Sequence, residues 1–324
     1  MPVDIVFLGS GGIAGKHMGA LSEIDNARVV GCMDINEEAA AEAAARFPGA
    51  GAYTDAGEAL DDRKPDAAYV CVPPHAHGEL EQACIEREIP FFVEKPISND
   101  RPTARKILEG VRQKDLLTGV GYMSRYRSTV EEARQALKKD EPVMARGWWI
   151  GGMPGARWWR QKEKSGGQIM EQTTHTFDLA CYLFGDVETV FCAGRRGLIT
   201  DVDGYDVEDA SICTLVFESG LVCEISSSCA VECGGSTGLE IFCRNSHLKL
   251  SGWDLGLEIQ QPGQTCRYQS PEDNIFEVED QIWIDAVESG NGAAIKSTYR
   301  DAYHTQMVTC AANESMESGE MEQP

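Results

Sequence analysis

A doubly wound α/β domain on a parallel sheet, followed by an α+β domain with a large, mostly antiparallel open sheet, is the fold class this sequence predicts. Three observations predict it. Short apolar runs alternate with helix-length segments from residue 3 to about residue 121. Beyond Met144 the rhythm changes to successive strand-like runs with few helices. A glycine-rich turn, Gly9-Ser10-Gly11-Gly12-Ile13-Ala14, stands directly behind the first apolar run and ahead of an apolar-periodic helix.

The elements follow in order. The run Ile5-Val6-Phe7-Leu8 reads as the first strand, the glycine turn opens a helix, and residues 28–33 form the second strand. Next come a helix at about 36–47, a short apolar piece at Ala52-Tyr53 and a strand at 67–72. A helix at about 76–88, a strand at 91–93, a helix at about 100–114 and a strand at 118–121 complete the alternation. After the boundary comes one strong helix at about 167–184, then strand-like runs at 187–194, 210–217, 221–228, 238–243 and 247–250. Helices at roughly 274–288 and 298–312 close the chain. The expected division is a first domain over 1–122, a second over 123–313 and a polar, frayed acidic tail over 314–324.

The glycine turn carries chemistry as well as shape. Its G-x-G-x-x-A spacing between strand and helix is the dinucleotide fingerprint. Gly9 permits the tight turn, Gly11 admits a pyrophosphate, and Ala14 keeps the helix close to the sheet. The flanking Gly12 and Ile13 place free amides at a helix N-terminus, where an anion is stabilised. Asp34 ends the second strand, where a carboxylate accepts hydrogen bonds from ribose hydroxyls and repels a 2′-phosphate. With no arginine in the next two residues, NAD is favoured over NADP. The plainer role for Asp34 is to cap the following helix, which Asn36 could also do.

Totals narrow the class. Against 29 Lys and Arg stand 52 Asp and Glu, a formal charge of −23 over 324 residues. Such a field repels phosphate backbones, and the chain shows no basic patch for nucleic acid. No apolar run reaches membrane-span length, and Met1-Pro2-Val3-Asp4 enters the first strand without a signal peptide. Twelve cysteines without a C-x-x-C pair read as small buried hydrophobes in a reducing compartment, so a cytoplasmic protein is expected.

Further segments converge on the edge where doubly wound folds bind ligands. Cys71-Val72-Pro73-Pro74-His75-Ala76-His77 follows the fourth strand, and Glu94-Lys95-Pro96 follows the next. Lys95 there is either a residue held beside a nicotinamide ring or part of a surface turn. In Gly166-Gly167-Gln168-Ile169-Met170-Glu171-Gln172-Thr173-Thr174-His175-Thr176-Phe177-Asp178, helical periodicity sets Glu171, His175 and Asp178 on one face. A histidine beside a carboxylate suits general acid–base chemistry; the alternative is a polar helix seam. One histidine with two carboxylates is a poor metal set, so no metal is expected.

The glycine turn, Glu94-Lys95-Pro96 and the Gly-Gly-x4-Gln-x2-His-x2-Asp helix, in this order, resemble the glucose–fructose oxidoreductase / inositol dehydrogenase / rhizopine-catabolism (Gfo/Idh/MocA) family. The resemblance spans nearly the whole chain. It implies that Val72, Pro73, His77, Glu94 and Lys95 touch the cofactor and that Trp159-Arg160 is the family's Trp-Arg element. It implies that Lys95 and His175 flank a substrate hydroxyl, with a hydride passing to nicotinamide, and that Glu171 accompanies them. The open sheet of the second domain is implied to mediate homodimers or homotetramers. Two positions depart from the pattern: polyol-oxidising members carry Asp at the position of Glu171 and Gly at that of Thr173.

Substrate hints come from the second domain. Four of six tryptophans, Trp148, Trp149, Trp158 and Trp159, fall within twelve residues. Their faces stack on sugar rings or fill a domain seam, while Arg125, Arg157 or Arg160 offers a hydroxyl or carboxylate clamp. A sugar, cyclitol or glycoside is the expected substrate, contacted by Lys95, Arg125, Trp158, Gln172 and His175. Two other functions share these features: a redox-neutral enzyme that oxidises a sugar transiently to ease elimination or glycoside cleavage, and a non-catalytic NAD-binding regulator.

Overall fold

The computed structural model describes all 324 residues. They form two compact units: Met1–Ser98 with Pro102–Met123 and Asn274–Tyr303, and Asn99–Arg101 with Ser124–Asp273 and His304–Pro324.

In the first unit the alternation is β1 (Val3–Leu8), α1 (Gly12–Leu21), β2 (Ala27–Met33), α2 (Glu37–Ala44), β3 (Gly51–Tyr53), α3 (Ala56–Arg63), β4 (Ala67–Val70), α4 (Glu79–Glu86), β5 (Phe91–Val93), α5 (Arg101–Lys114) and β6 (Thr118–Val120). The sheet order is β3-β2-β1-β4-β5-β6 with every pair parallel, as the apolar runs predict. Strand order reverses between β1 and β4, so a crevice opens at their carboxyl ends, where the glycine turn and Val72-Pro73 follow. Helix α3 has no counterpart in the expected elements. It is short and largely polar, and it starts where Asp55 accepts a hydrogen bond from the Glu58 amide.

The second unit adds α6 (Ser128–Leu137), β7 (Pro142–Ile150), α7 (Lys162–Ser165), α8 (Gln168–Glu171), α9 (Thr174–Phe184), β8 (Val187–Arg195), β9 (Ala210–Phe217), β10 (Val222–Ser228), β11 (Ser236–Cys243), β12 (His247–Ser251), β13 (Gly256–Gln261) and β14 (Gln264–Tyr268). Its eight strands run β14-β13-β12-β11-β7-β10-β9-β8, and only the β7–β10 pair is parallel. One face is core. Ala145, Cys213, Leu215, Cys223, Ile225, Leu239 and Ile241 point inward against α6 and α9 side chains such as Ala133 and Phe177. The alternate residues point outward and leave Met144, Phe191, Ile212 and Val222 exposed. The β13–β14 hairpin lies outside the expected strands because its apolar alternation is only Leu257 and Ile259, followed at once by glutamines and exposed polar residues.

The single helix expected at about 167–184 is two. The Gln172 and Thr173 amides both donate to the Gln168 carbonyl, which closes α8 with a wide turn before α9 begins.

The closing helices are α10 (Ile275–Ser289) and α11 (Tyr299–Ser318). Sequence order assigns α10 to the second domain, but it lies in the first unit, where Trp283 and Ile284 join Ile5, Phe7, Tyr69 and Phe92 in one core. Burying a large apolar side chain contributes on the order of 2 kcal/mol, enough to direct this return. The tail expected to fray is anchored. Helix α11 runs through Ser318, and Glu322 exchanges two backbone hydrogen bonds with Val190 at 2.9 Å.

Candidate active site

In the first unit the turn after β1 has the geometry its glycines require. Gly9 sits at φ +99°, and a Cβ there would collide with the Cys71 carbonyl. At Gly11 and Gly12 a Cβ would meet nothing within 4 Å, so the backbone is open to close approach. Gly11 caps α1 without a side-chain bond, Ile13 is half-buried and Ala14 fully buried against the core. The first amides of α1 therefore remain available to an anion. Asp34 accepts from the Ser10 amide through Oδ2 and from the Asn36 amide through Oδ1, each at 2.9 Å. The cap of α2 is Asn36, whose side chain accepts from Glu38 and Ala39. Asp34 is thus tied to the glycine turn itself.

Beyond β4, Val72 and Pro73 lead into a 3₁₀ turn (Pro74–Ala76) and then His77. The His77 Nδ1–H donates to Glu81 Oε1 at 2.5 Å, which fixes the tautomer and leaves Nε2 buried without a hydrogen-bond partner. A buried polar atom without a partner at the carboxyl edge of the sheet fits a site that a polar ligand completes. Beyond β5, Glu94 is buried and Lys95 half-buried, joined to Pro96 by a cis peptide. Glu94 Oε2 accepts from the Lys95 amide at 3.0 Å, and Oε1 accepts from His17 Nε2 at 3.1 Å. His17, in α1, carries its other ring nitrogen 2.8 Å from Asp280 of α10. The sequence reading passed over His17, Asp280 and Tyr69, whose hydroxyl also donates to Asp280.

In the second unit a 3₁₀ turn (Arg157–Arg160) carries Trp158, Trp159 and Arg160. Trp159 is buried and donates its indole N–H to Glu171 at 2.7 Å, while Trp158 is half-buried. The three residues expected on one helix face turn to different partners. Glu171 meets Trp159; Asp178 binds Arg125 through both carboxylate oxygens, at 2.6 and 2.8 Å, and accepts from Thr305. The His175 ring stacks on Trp149 with centroids 5.6 Å apart and planes 20° off parallel. The Arg125 guanidinium, an expected substrate contact, is thus committed to Asp178 and lies over the Tyr182 ring. Gln172 Oε1 and Arg160 Nε are buried without hydrogen-bond partners, as befits groups that wait for a ligand. Trp253, in the turn between β12 and β13, sets its ring edge-on to Trp149 at 6.4 Å, a contact that no local pattern signals. No cluster of three or more His, Cys, Asp or Glu side chains has the arrangement of a metal site.

The first unit has the fold and glycine turn of a dinucleotide-binding domain, and comparison with known proteins agrees. Residues 3–122 match the oxidoreductase family with an NAD-binding Rossmann fold, and residues 130–249 match the GFO/IDH/MocA C-terminal domain. The chain belongs to the Gfo/Idh/MocA family and is an NAD-binding oxidoreductase. The myo-inositol 2-dehydrogenase of Thermotoga maritima is 26% identical, over 72% of this chain and 71% of its own. The inositol 2-dehydrogenase of Mycolicibacterium gilvum is also 26% identical, over 97% of this chain and 91% of its own. Among solved structures, a levoglucosan dehydrogenase in complex with NADH superposes with a TM-score of 0.88 at 17% identity, covering 100% of this chain and 99% of its own. An oxidoreductase from Agrobacterium radiobacter, solved with NAD+, L-tartaric acid and magnesium, gives 0.87 at 20% identity, covering 100% and 98%.

Proposed function

We propose that this protein oxidises a secondary hydroxyl of a sugar, cyclitol or glycoside, or reduces the matching ketone, with Lys95 and His175 as its proton-transfer pair. The observation that carries the reading is His175 itself, buried and stacked flat on Trp149, with the partnerless Gln172 oxygen three residues before it. A polar ring of hydroxyls with an apolar face suits that combination of aromatic wall and hydrogen-bonding groups. The two inositol dehydrogenases among its relatives and the levoglucosan dehydrogenase among its structural neighbours support the same class.

NAD+ supplies a hydride acceptor at nicotinamide C4 when bound. It would be held by the amides of Gly11, Gly12 and Ile13, by Asp34 at the ribose, and by Val72, Pro73, His77 and Lys95 along the sheet edge. The fit rests on the open glycine backbone and the partnerless His77 Nε2. Glu94 acts from behind that edge through its two hydrogen bonds, and Arg160 reaches the cofactor or substrate through its partnerless Nε. In oxidation His175 takes the hydroxyl proton and the Lys95 ammonium stabilises the oxygen as it gains charge. In reduction the same groups return the proton.

A second copy of the chain would cover the outward face of the eight-stranded sheet, where Met144, Phe191, Ile212 and Val222 stand exposed. No helix is long and apolar enough to cross a membrane.

The test is the growth of reduced-nicotinamide absorbance with NAD+ and a panel of cyclitols, aldoses, uronic acids and glycosides. Growth with one class, abolished in Lys95→Met and His175→Ala, is expected. Tight NAD+ binding without net reduction on any panel member would reject the reading in favour of redox-neutral or regulatory use of the cofactor.

A further inference from the structure

We propose that His17 is the positioning residue for Lys95, acting through Glu94 and anchored on Asp280. Its catalytic meaning rests on the dehydrogenase reading above; its structural meaning rests on geometry alone.

Four segments far apart in sequence converge on this ring. His17 of α1 places Nδ1 2.8 and 3.0 Å from the two Asp280 oxygens, 263 residues away, and Nε2 3.1 Å from Glu94 Oε1. Tyr69 of β4 donates its hydroxyl to Asp280 Oδ1 at 3.1 Å. The ring is fully buried and walled by Tyr69, Phe92 and Phe276, with centroids 5.4, 5.1 and 5.3 Å away. Carboxylates only accept, so a histidine that satisfies one at each nitrogen carries both protons and is an imidazolium. Burial alone would neutralise it, but Asp280 and Glu94 outweigh burial and raise its pKa well above the ordinary histidine value.

A charge in an aromatic core is costly unless geometry returns the cost, so its placement is informative. Here it lies directly behind Glu94, whose second oxygen holds the Lys95 amide at 3.0 Å. Gly121 leaves room for that carboxylate, since a Cβ there would collide with it. Gripped on both oxygens, Glu94 has one orientation, and it fixes the peptide from which the Lys95 side chain departs. A lysine has four rotatable bonds beyond its Cα, so aiming its ammonium starts with the backbone. A misplacement of about 1 Å costs on the order of 10²-fold in rate. Asp280, His17, Glu94 and the Lys95 amide thus form one hydrogen-bonded line running from α10 to the sheet edge.

Two isosteric variants separate positioning from mere stability. In H17Q the amide nitrogen falls near the place of Nε2 and retains Glu94. In H17N it falls near Nδ1, retains Asp280 and releases Glu94. Each loses one buried contact, so both are destabilised, but only H17N frees the Lys95 peptide. Amide hydrogen exchange on the intact protein should show the Lys95 amide about tenfold or more faster in H17N relative to the Phe92 and Val93 amides of β5, and within about threefold of wild type in H17Q. With a panel substrate, kcat should fall about tenfold or more in H17N at an NAD+ KM within about threefold of wild type, and be largely retained in H17Q. Lys95 exchange that rises only in step with β5, or equal losses of kcat in the two variants, would overturn the proposal. Should H17N fail to fold, H17N/D280N and H17Q/D280N each carry one buried negative charge fewer and make the same comparison. A wild type inert on the whole panel would reject the dehydrogenase reading, and the exchange measurement would still decide the role of His17.

Discussion

The indole N–H of Trp159 and the carboxylate of Glu171 meet at 2.7 Å and join the Arg157–Arg160 turn to the last residue of α8. A buried indole donor left without an acceptor costs about 1–3 kcal/mol, so this bond gives Glu171 a structural duty that its extra methylene over aspartate helps it reach. Glu171→Gln, which still presents an oxygen, should keep kcat within about threefold and lose about 1 kcal/mol in urea denaturation. Glu171→Ala should lose about 1–3 kcal/mol. A hundredfold loss of kcat in Glu171→Gln at unchanged stability would instead make Glu171 an acid–base group.

Asp34 gives a prediction about cofactor choice. Both of its oxygens are engaged by amides, from Ser10 in the glycine turn and from Asn36 at the start of α2. The carboxylate is therefore held in place as a fixed negative charge at the end of β2, where a ribose lies in this fold. Asp34→Ser should weaken NAD+ by about tenfold and narrow its advantage over NADP+, read as the ratio of dissociation constants from titration calorimetry. An unchanged ratio would place the discrimination elsewhere.

These local devices are the part of the molecule that was legible in the sequence. Gly9, Gly11 and Asp34 act within one strand–turn–helix–strand unit, and their spacing is the geometry. Long-range pairings were not legible. The apolar face of α10 looks the same whichever sheet it covers, so nothing near Trp283 reveals that it packs beside Phe92. His17 reads as an ordinary helix residue until Asp280 arrives from 263 positions away. The break at Gln172 and Thr173 was hidden because both residues permit a helix, and hydrogen bonding to the Gln168 carbonyl decides otherwise.

The buried imidazolium sets a pH dependence whose sign follows from its direction. The folded pKa of His17 lies well above its unfolded value: burial lowers it, and Asp280 and Glu94 raise it further. Its stabilising contribution is then fully present below about pH 6.5, the unfolded value, and is lost as pH rises through the folded pKa. The other groups around the ring do not reverse this: burial raises the Asp280 carboxyl against the pull of His17 and Tyr69, and a carboxyl raised in the folded state also stabilises more at the acid end. The Tyr69 hydroxyl and the Cys71 thiol are pushed up by burial and the nearby carboxylates and stay neutral well into the alkaline range. Urea denaturation of wild type and H17Q from pH 6 upward should show the wild-type advantage greatest at the acid end and shrinking at alkaline pH. An advantage that grows with pH would mean that the ring is buried neutral.

The outward face of the eight-stranded sheet makes the last prediction. On β7 and β10, Met144 and Val222 are register partners and are 48% and 43% exposed; Ile212 on the neighbouring β9 is 56% exposed. A charged pair, Glu224 with Arg146, stands on the same face between the Val222 row and the Ile212 row, so apolar and charged groups alternate there, and exposed apolar side chains on a broad sheet face are costly in water unless a partner covers them. A second copy is the simplest cover, because a two-fold axis brings the same patch to itself. Ile212→Asp would then set two carboxylates against each other across that axis while leaving the core behind Cys213 and Leu215 intact. Light scattering should show wild type as a dimer or tetramer and Ile212→Asp shifted toward monomer, with unfolding free energy within about 0.5 kcal/mol where the assembly is already dissociated. A wild type that is monomeric at micromolar concentration would remove this face from the list of interfaces. A variant that keeps the assembly would move the contact to another surface of the second unit.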